Sequence, residues 1–429
     1  MPTVARATLF SSFLLLLSPI LLAQSFSAVK IPTLNAKNNG ILFVTGLNDS
    51  GQVTGYETAT PAEDWLAFIW SHAAGIQDIN GDCLSSDGNA INNNGDVVGT
   101  CSTGLNEGYG FYWSSATGMV NIGIAPVAIN DSDEAAGSAS GSPALWSLTS
   151  GTSVLPEPGW ATAINDAGQV AGNTGPWYAP NPFLWTSAAG FEQIANPSGT
   201  YAQAQAINSL GEIVGSFSPT AGGDQYAFLW TSSAGIQDLG DLGPATATGP
   251  FSCCRPYGIN VNGYIVGTYN LNTSDCPGDY GCAFLWSSTA GYQYLTSMAS
   301  GLPPGTILLY AAGINKWGQI AANSIGERGY LLTPIMTLTV TSSPNPSIKG
   351  QPVTFTATVN SVIGHPPDGD KVTFEWNSTV LGVVPITNGV ATVTYSGLSV
   401  GTNTLKATYN GDSVYAATKI VKFTQVVDK

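Results

Sequence analysis

Few side chains in this sequence could do chemistry. Of its two histidines, His72 stands where most other copies of a repeated segment carry Ser, and His365 lies in a Pro-rich loop. Neither has a G-x-S-x-G element to serve, so a Ser-His-Asp site is without support. Hydrolysis by paired carboxylates needs no histidine, and Asp49, Glu63, Asp64, Asp166, Glu192, Glu212 and Asp224 are candidates for it. The sequence alone places no two of them at the roughly 5 to 10 Å that such chemistry requires. Turns such as Asn80-Gly81-Asp82 and Asn92-Asn93-Asn94-Gly95-Asp96 are rich in oxygen ligands, but the twelve-residue calcium pattern with its closing Glu is missing. They read as turns, and no catalytic residue, metal or cofactor is assigned.

Six cysteines remain. Cys83 and Cys101 flank one hairpin and could face each other across it. Cys253, Cys254, Cys276 and Cys282 gather around two extended loops, with spacing that lacks the paired C-x2-C knuckles of a zinc site. Disulfides stapling those loops are expected, with the pairing left open.

A ten-residue pattern, small-apolar-Asn-x-x-Gly-x-apolar-apolar-Gly, occurs seven times. It includes GLNDSGQVTG from Gly46, AINNNGDVVG from Ala90 and GINKWGQIAA from Gly313. The aligned residues are Asn48, Asn92, Asn130, Asn165, Asn208, Asn260 and Asn315, spaced 44, 38, 35, 43, 52 and 55 residues apart. A second pattern follows in six copies, ending at Trp70, Trp113, Trp146, Trp185, Trp230 and Trp286, with Leu332 in the seventh. A Gly-x-x-x-apolar piece closes most copies. Each unit therefore offers four short strands at the spacing of propeller repeats, and the fold class expected is all-β, a seven-bladed β-propeller followed by a sandwich. The Asn reads as a turn cap and the Trp as core between sheets. Aromatics outside the pattern, Trp65, Trp160, Trp177 and Tyr178, are expected to be exposed in loops and are better placed for ligand contact.

The seventh unit lacks its fourth strand, and residues 29 to 34 precede the first repeat where that strand would belong. They are expected to close the ring and remove its open edges. The two patterns in order resemble the bacterial HAF-type extracellular repeat over about residues 29 to 334. That resemblance implies an exported, propeller-like protein and brings no reaction or ligand with it.

From Met336 the patterns stop. Alternating runs at 337–341, 353–359, 372–376, 380–384, 390–395, 403–409 and 419–426 read as an Ig-like sandwich. Segments such as SPNPSIKGQPVTFTATV resemble the bacterial Ig-like domains of group 3, which implies a spacer or adhesive module.

The chain is thus divided into a signal peptide (1–25), a seven-repeat propeller (26–335) and a sandwich (336–429). The first segment has one base, Arg6, then an apolar run and Leu21-Leu22-Ala23. No later apolar stretch is long enough to span a membrane. The formal charge is −15, with 22 carboxylates against five bases between residues 26 and 335. Such a domain repels phosphate backbones, so nucleic acid is a poor partner. The function expected is an exported, non-catalytic binding or adhesion scaffold, secreted or held at the cell surface. Its partner would be an extracellular glycan, peptide or surface, with the oligomeric state open. The alternative is a glycan-degrading enzyme with paired carboxylates at the propeller mouth.

Overall fold

The structure, a computed structural model, describes residues 25–34, 40–58, 64–104, 107–196, 201–220, 225–240, 254–269 and 281–429. The proposed leader, apart from Ser25, lies outside them, as do Glu63, Asp224, Cys253 and Cys276. The described chain is all-β apart from one short helix, Leu295–Met298. No described helix is long and apolar enough to cross a membrane.

The first repeat folds as Leu42–Leu47, Val53–Thr58, Trp65–Ser71 and Gly75–Asp78, hydrogen-bonded in that order into one antiparallel sheet. Five more four-stranded sheets of the same order begin at Ser85, Ala125, Gly159, Tyr201 and Cys254. Alternation buries Val53, Phe68 and Trp70 against a neighbouring sheet, and the first strand of each sheet packs on the first strand of the next. Strands with apolar residues on one side need such a partner surface.

Two local rules explain the repeated pattern. The Asn48 N–H donates to the Gln52 carbonyl (3.0 Å) and the Gly51 N–H to the Asn48 carbonyl (3.2 Å). This three-residue loop has its last residue in the left-handed region, at φ 72° for Gly51. The third repeat uses Asp133 there, at φ 60°, a conformation Asp tolerates better than most residues. The closing Gly answers a different need. The first strand carries one extra residue, Thr45, between Val44 and Gly46, and this bulge brings the Phe43 carbonyl against Gly55. A Cβ at Gly55 would overlap that oxygen.

A seventh sheet contains Leu308–Ile314, Ile320–Ser324 and Arg328–Pro334, and the N-terminal strand fills its fourth position. That strand is Phe26–Lys30, placed a few residues before the expected 29–34. It pairs antiparallel with the Arg328–Pro334 strand, Ser27 against Thr333 and Val29 against Leu331, with Phe26 fully buried. Pro32, which has no N–H to donate, lies beyond its end. Ala299–Ser300 adds a short parallel strand on its outer side.

The C-terminal part forms two facing sheets. One contains 337–343, 353–360 and 390–395, and the other 347–348, 421–428, 401–409, 371–376 and 379–385. Phe355, Phe374, Leu405 and Tyr409 are fully buried between them. This sandwich docks on the sixth and seventh sheets. Ile363 is buried among their apolar residues, the Tyr415 hydroxyl donates to the Trp317 carbonyl, and the Tyr264 hydroxyl donates to the Val362 carbonyl at 3.3 Å.

Candidate functional site

The seven repeat asparagines meet in one ring. Each Oδ1 accepts the backbone N–H groups two and four residues on, as in Ala167 (3.1 Å) and Gln169 (3.0 Å) for Asn165. Each Nδ2 donates to the backbone carbonyl of the next asparagine. The bonds run from Asn48 to Asn92 (2.8 Å), to Asn130 (3.1 Å), to Asn165 (3.2 Å), to Asn208 (2.9 Å), to Asn260 (3.1 Å), to Asn315 (3.3 Å) and back to Asn48 (3.0 Å). Every sheet is thereby tied to its neighbours by the residue that caps its own turn.

The next position along the chain lines the same mouth, a cavity of about 500 Å³. Asp49 Oδ1 accepts the Lys316 N–H (3.1 Å), Asn93 Oδ1 the Asp49 N–H (2.7 Å), Asp131 Oδ1 the Asn93 N–H (2.8 Å) and Asp166 Oδ1 the Asp131 N–H (3.0 Å). The Asn93 amide also bridges the Asp49 and Asp131 carboxylates, and Lys316 Nζ lies 2.9 Å from Asp49. Two carboxylates meet on one amide here, and all four of their oxygens already accept N–H donors. Ser209 and Val261 complete the circle on the far side.

The other predicted residues are more dispersed. Trp70, Trp146 and Trp230 are buried, while Trp113, Trp185 and Trp286 are half-buried between sheets. Glu212 accepts from the Asn208 amide at 2.8 Å. Asp64 and Glu192 are exposed and far from the Asn mouth in the topology. His72 is exposed in a turn with its ring edge-on to Trp70, and His365 Nδ1 lies 2.8 Å from the Pro366 carbonyl. Among the described residues no group of three or more His, Cys, Asp or Glu could hold a metal ion.

At the opposite end of the sheets the repeat fades. The residue five before each repeat asparagine is Phe43, Asp87, Ala125, Trp160, Gln203, Arg255 or Tyr310, a different type in every sheet. All occupy one register position, paired with the second strand just beyond its closing Gly or Ala. Phe43 packs on Tyr56 (5.3 Å between centroids), which stacks on Trp65 (4.9 Å, 18°). In the sixth and seventh sheets Tyr257 meets Tyr310 edge-on at 6.2 Å. Burial, together with nearby Tyr56, Tyr257 and Glu327, pushes the Tyr310 hydroxyl well above its ordinary pKa. Asp87 accepts from Thr100 Oγ1 (3.3 Å) through one oxygen, and its other oxygen is buried with no hydrogen-bond donor among the described residues. Burial raises its pKa in turn.

The disulfides gather at this end too. Cys83 and Cys101 are bonded, with Cα atoms 5.5 Å apart, and Cys254 and Cys282 are both disulfide-bonded on strands that flank Tyr269. Trp177 and Tyr178 stand 80 % and 68 % exposed on the loop following the second strand of the fourth sheet. Trp65 and Trp160 stand out in the sequence as unpatterned aromatics, but both lie on strands and not in the expected loops, with Trp160 half-buried, while Asp87, Gln203, Arg255, Tyr257 and Tyr310 carry no such local signal. The available signal was the variable column five residues before the Asn.

Residues 340–428 match the family model of the bacterial Ig-like domain, group 3, and that part of the chain is such a domain. No curated protein sequence matches the chain. Among solved structures it is similar to TolB from Acinetobacter baumannii (13 % identity, TM-score 0.40, covering 56 % of this chain and 62 % of that one). It is also similar to prolyl oligopeptidase B from Galerina marginata (11 %, 0.43, covering 82 % and 57 %). A third likeness is to a gluconolactonase, XC5397 from Xanthomonas campestris (9 %, 0.35, covering 73 % and 97 %). The chain thus spans less than two thirds of the length of the first two.

Proposed function

We propose that the seven sheets are the blades of a β-propeller and that the protein is an exported, non-catalytic binding scaffold. The observation that carries this reading is the contrast between the two ends of the ring. At the Asn end the same residues recur, and their polar groups bond to one another. At the other end the seven equivalent positions all differ, aromatic rings stand partly exposed, and disulfides staple the surrounding strands. A repeated residue can hold a ring together, but an asymmetric ligand needs positions that differ.

Export is supported by the leader-like N-terminus, by the disulfides and by the resemblance of the repeats to the HAF-type pattern. The Ig-like domain is docked on the sixth and seventh sheets through Ile363, Tyr415 and Tyr264, which suits a spacer for the ring. Retention of a polysaccharide panel and release of reducing ends, measured together on the full chain, test the proposal. Retention without release is expected. Release that Asp49→Asn or Asp131→Asn abolishes would instead make the protein a glycosidase.

A further inference from the structure

We infer that the non-repeating mouth binds a neutral oligosaccharide. The inference rests on the scaffold reading above and names its ligand class. Three features carry it. The first is the pairing of aromatic surface with planar polar groups. Trp65 and Tyr257 are 39 % and 37 % exposed at the rim, and Trp160 and Tyr310 sit half-buried on first strands. Such rings offer apolar faces to the C–H faces of a sugar, while Gln203 and Arg255, on neighbouring first strands, can each engage two adjacent hydroxyls.

The second feature is the orphaned acceptor. Asp87 Oδ1 is buried among the described residues with no donor, and such an atom is costly unless something hydrogen-bonds to it. A ligand hydroxyl that displaces the groups covering this atom would be a donor of the right kind. Among the described residues no nearby group serves that oxygen, and Thr100 Oγ1 reaches Oδ2 instead.

The third feature is charge. The mouth positions in the first strands include one carboxylate, Asp87, and one guanidinium, Arg255, within a repeat region that is otherwise strongly acidic. An anionic ligand would be repelled at long range, and a simple cation would meet Arg255. An uncharged polyhydroxylated ligand suits both. The Tyr201 hydroxyl, which donates to Gln203 Oε1 at 2.6 Å, holds that amide ready to donate outward.

Calorimetric titration of the full chain with a set of neutral oligosaccharides tests this, with reducing-end release followed in the same samples. At least one sugar is expected to bind. Tyr257→Ala and Arg255→Ala should each weaken that binding about tenfold, Arg255→Ala with unchanged melting temperature because it is exposed, and Tyr257→Ala beside a small loss of stability from its contact with Tyr310. Asp166→Asn, at the opposite mouth, should leave binding as it was. Binding by none of the sugars, or binding indifferent to both variants, overturns the inference. Binding with release of reducing ends would support the ligand class and overturn the non-catalytic reading, so the two can fail separately.

Discussion

Asn165 accepts two backbone N–H groups of its own turn and donates to Gln169 and to the carbonyl of Asn208 in the next sheet. Replacing it by Ala orphans buried groups on two sheets at once. Asn165→Ala should therefore cost about 1–3 kcal/mol in a denaturant melt, while Asp166→Ala, next to it and exposed, should stay within about 0.5 kcal/mol. Equal costs would mean that the ring of amides contributes nothing of its own. Asp87 behaves in the opposite sense. Burial raises its pKa in the folded state, so the native protein holds that proton more tightly than the unfolded chain. The resulting stabilisation is present at acid pH and is lost as pH rises through the raised value. Asp87→Asn should raise the melting temperature at neutral pH and leave it unchanged below the ordinary carboxylate range. The asparagines were legible in the sequence as turn caps, because Asn-x-x-Gly is a local signal. Their second role was not, since six of the partners lie 35 to 55 residues further along the chain and the seventh, Asn48 for Asn315, lies 267 residues back.

At the scale of the element, the fourth strand of the seventh sheet comes from the other end of the repeat region. Deleting residues 25–30 would uncover the Arg328–Pro334 edge and the apolar residues Leu331 and Leu332. The shortened chain should melt at lower temperature and self-associate in sedimentation. A monomer with an unchanged melting temperature would contradict the role given to that strand. The missing seventh piece and the spare N-terminal segment could both be read from sequence. The register could not, because the segment has apolar residues at Phe26, Val29 and Ile31, and only the buried slot for Phe26 decides among them. The Ig-like strands were clearer. Their strict alternation, as in VTFTATV, leaves one face apolar in only one register.

At the scale of the whole molecule, the repeated end ties the seven sheets together, and the proposed recognition falls on the variable end. The sandwich sits against the sixth and seventh sheets through Ile363, and a Cβ on Gly318 would come within 2.7 Å of that side chain. Ile363→Asp should separate the domains, giving a larger radius of gyration in small-angle scattering and two unfolding transitions in place of one. Neither the docking nor the mouth was legible beforehand. The docking joins residues about a hundred positions apart, such as Tyr415 and Trp317, and the mouth consists of the positions where the repeat pattern breaks. Hydrogen exchange on the full chain, with and without a bound oligosaccharide, tests the central claim most directly. Protection should rise at residues 43–45, 85–88, 160–162, 201–205 and 255–257. Protection confined to the Asn turns or to the Ig-like domain would contradict the claim that recognition belongs to the non-repeating mouth.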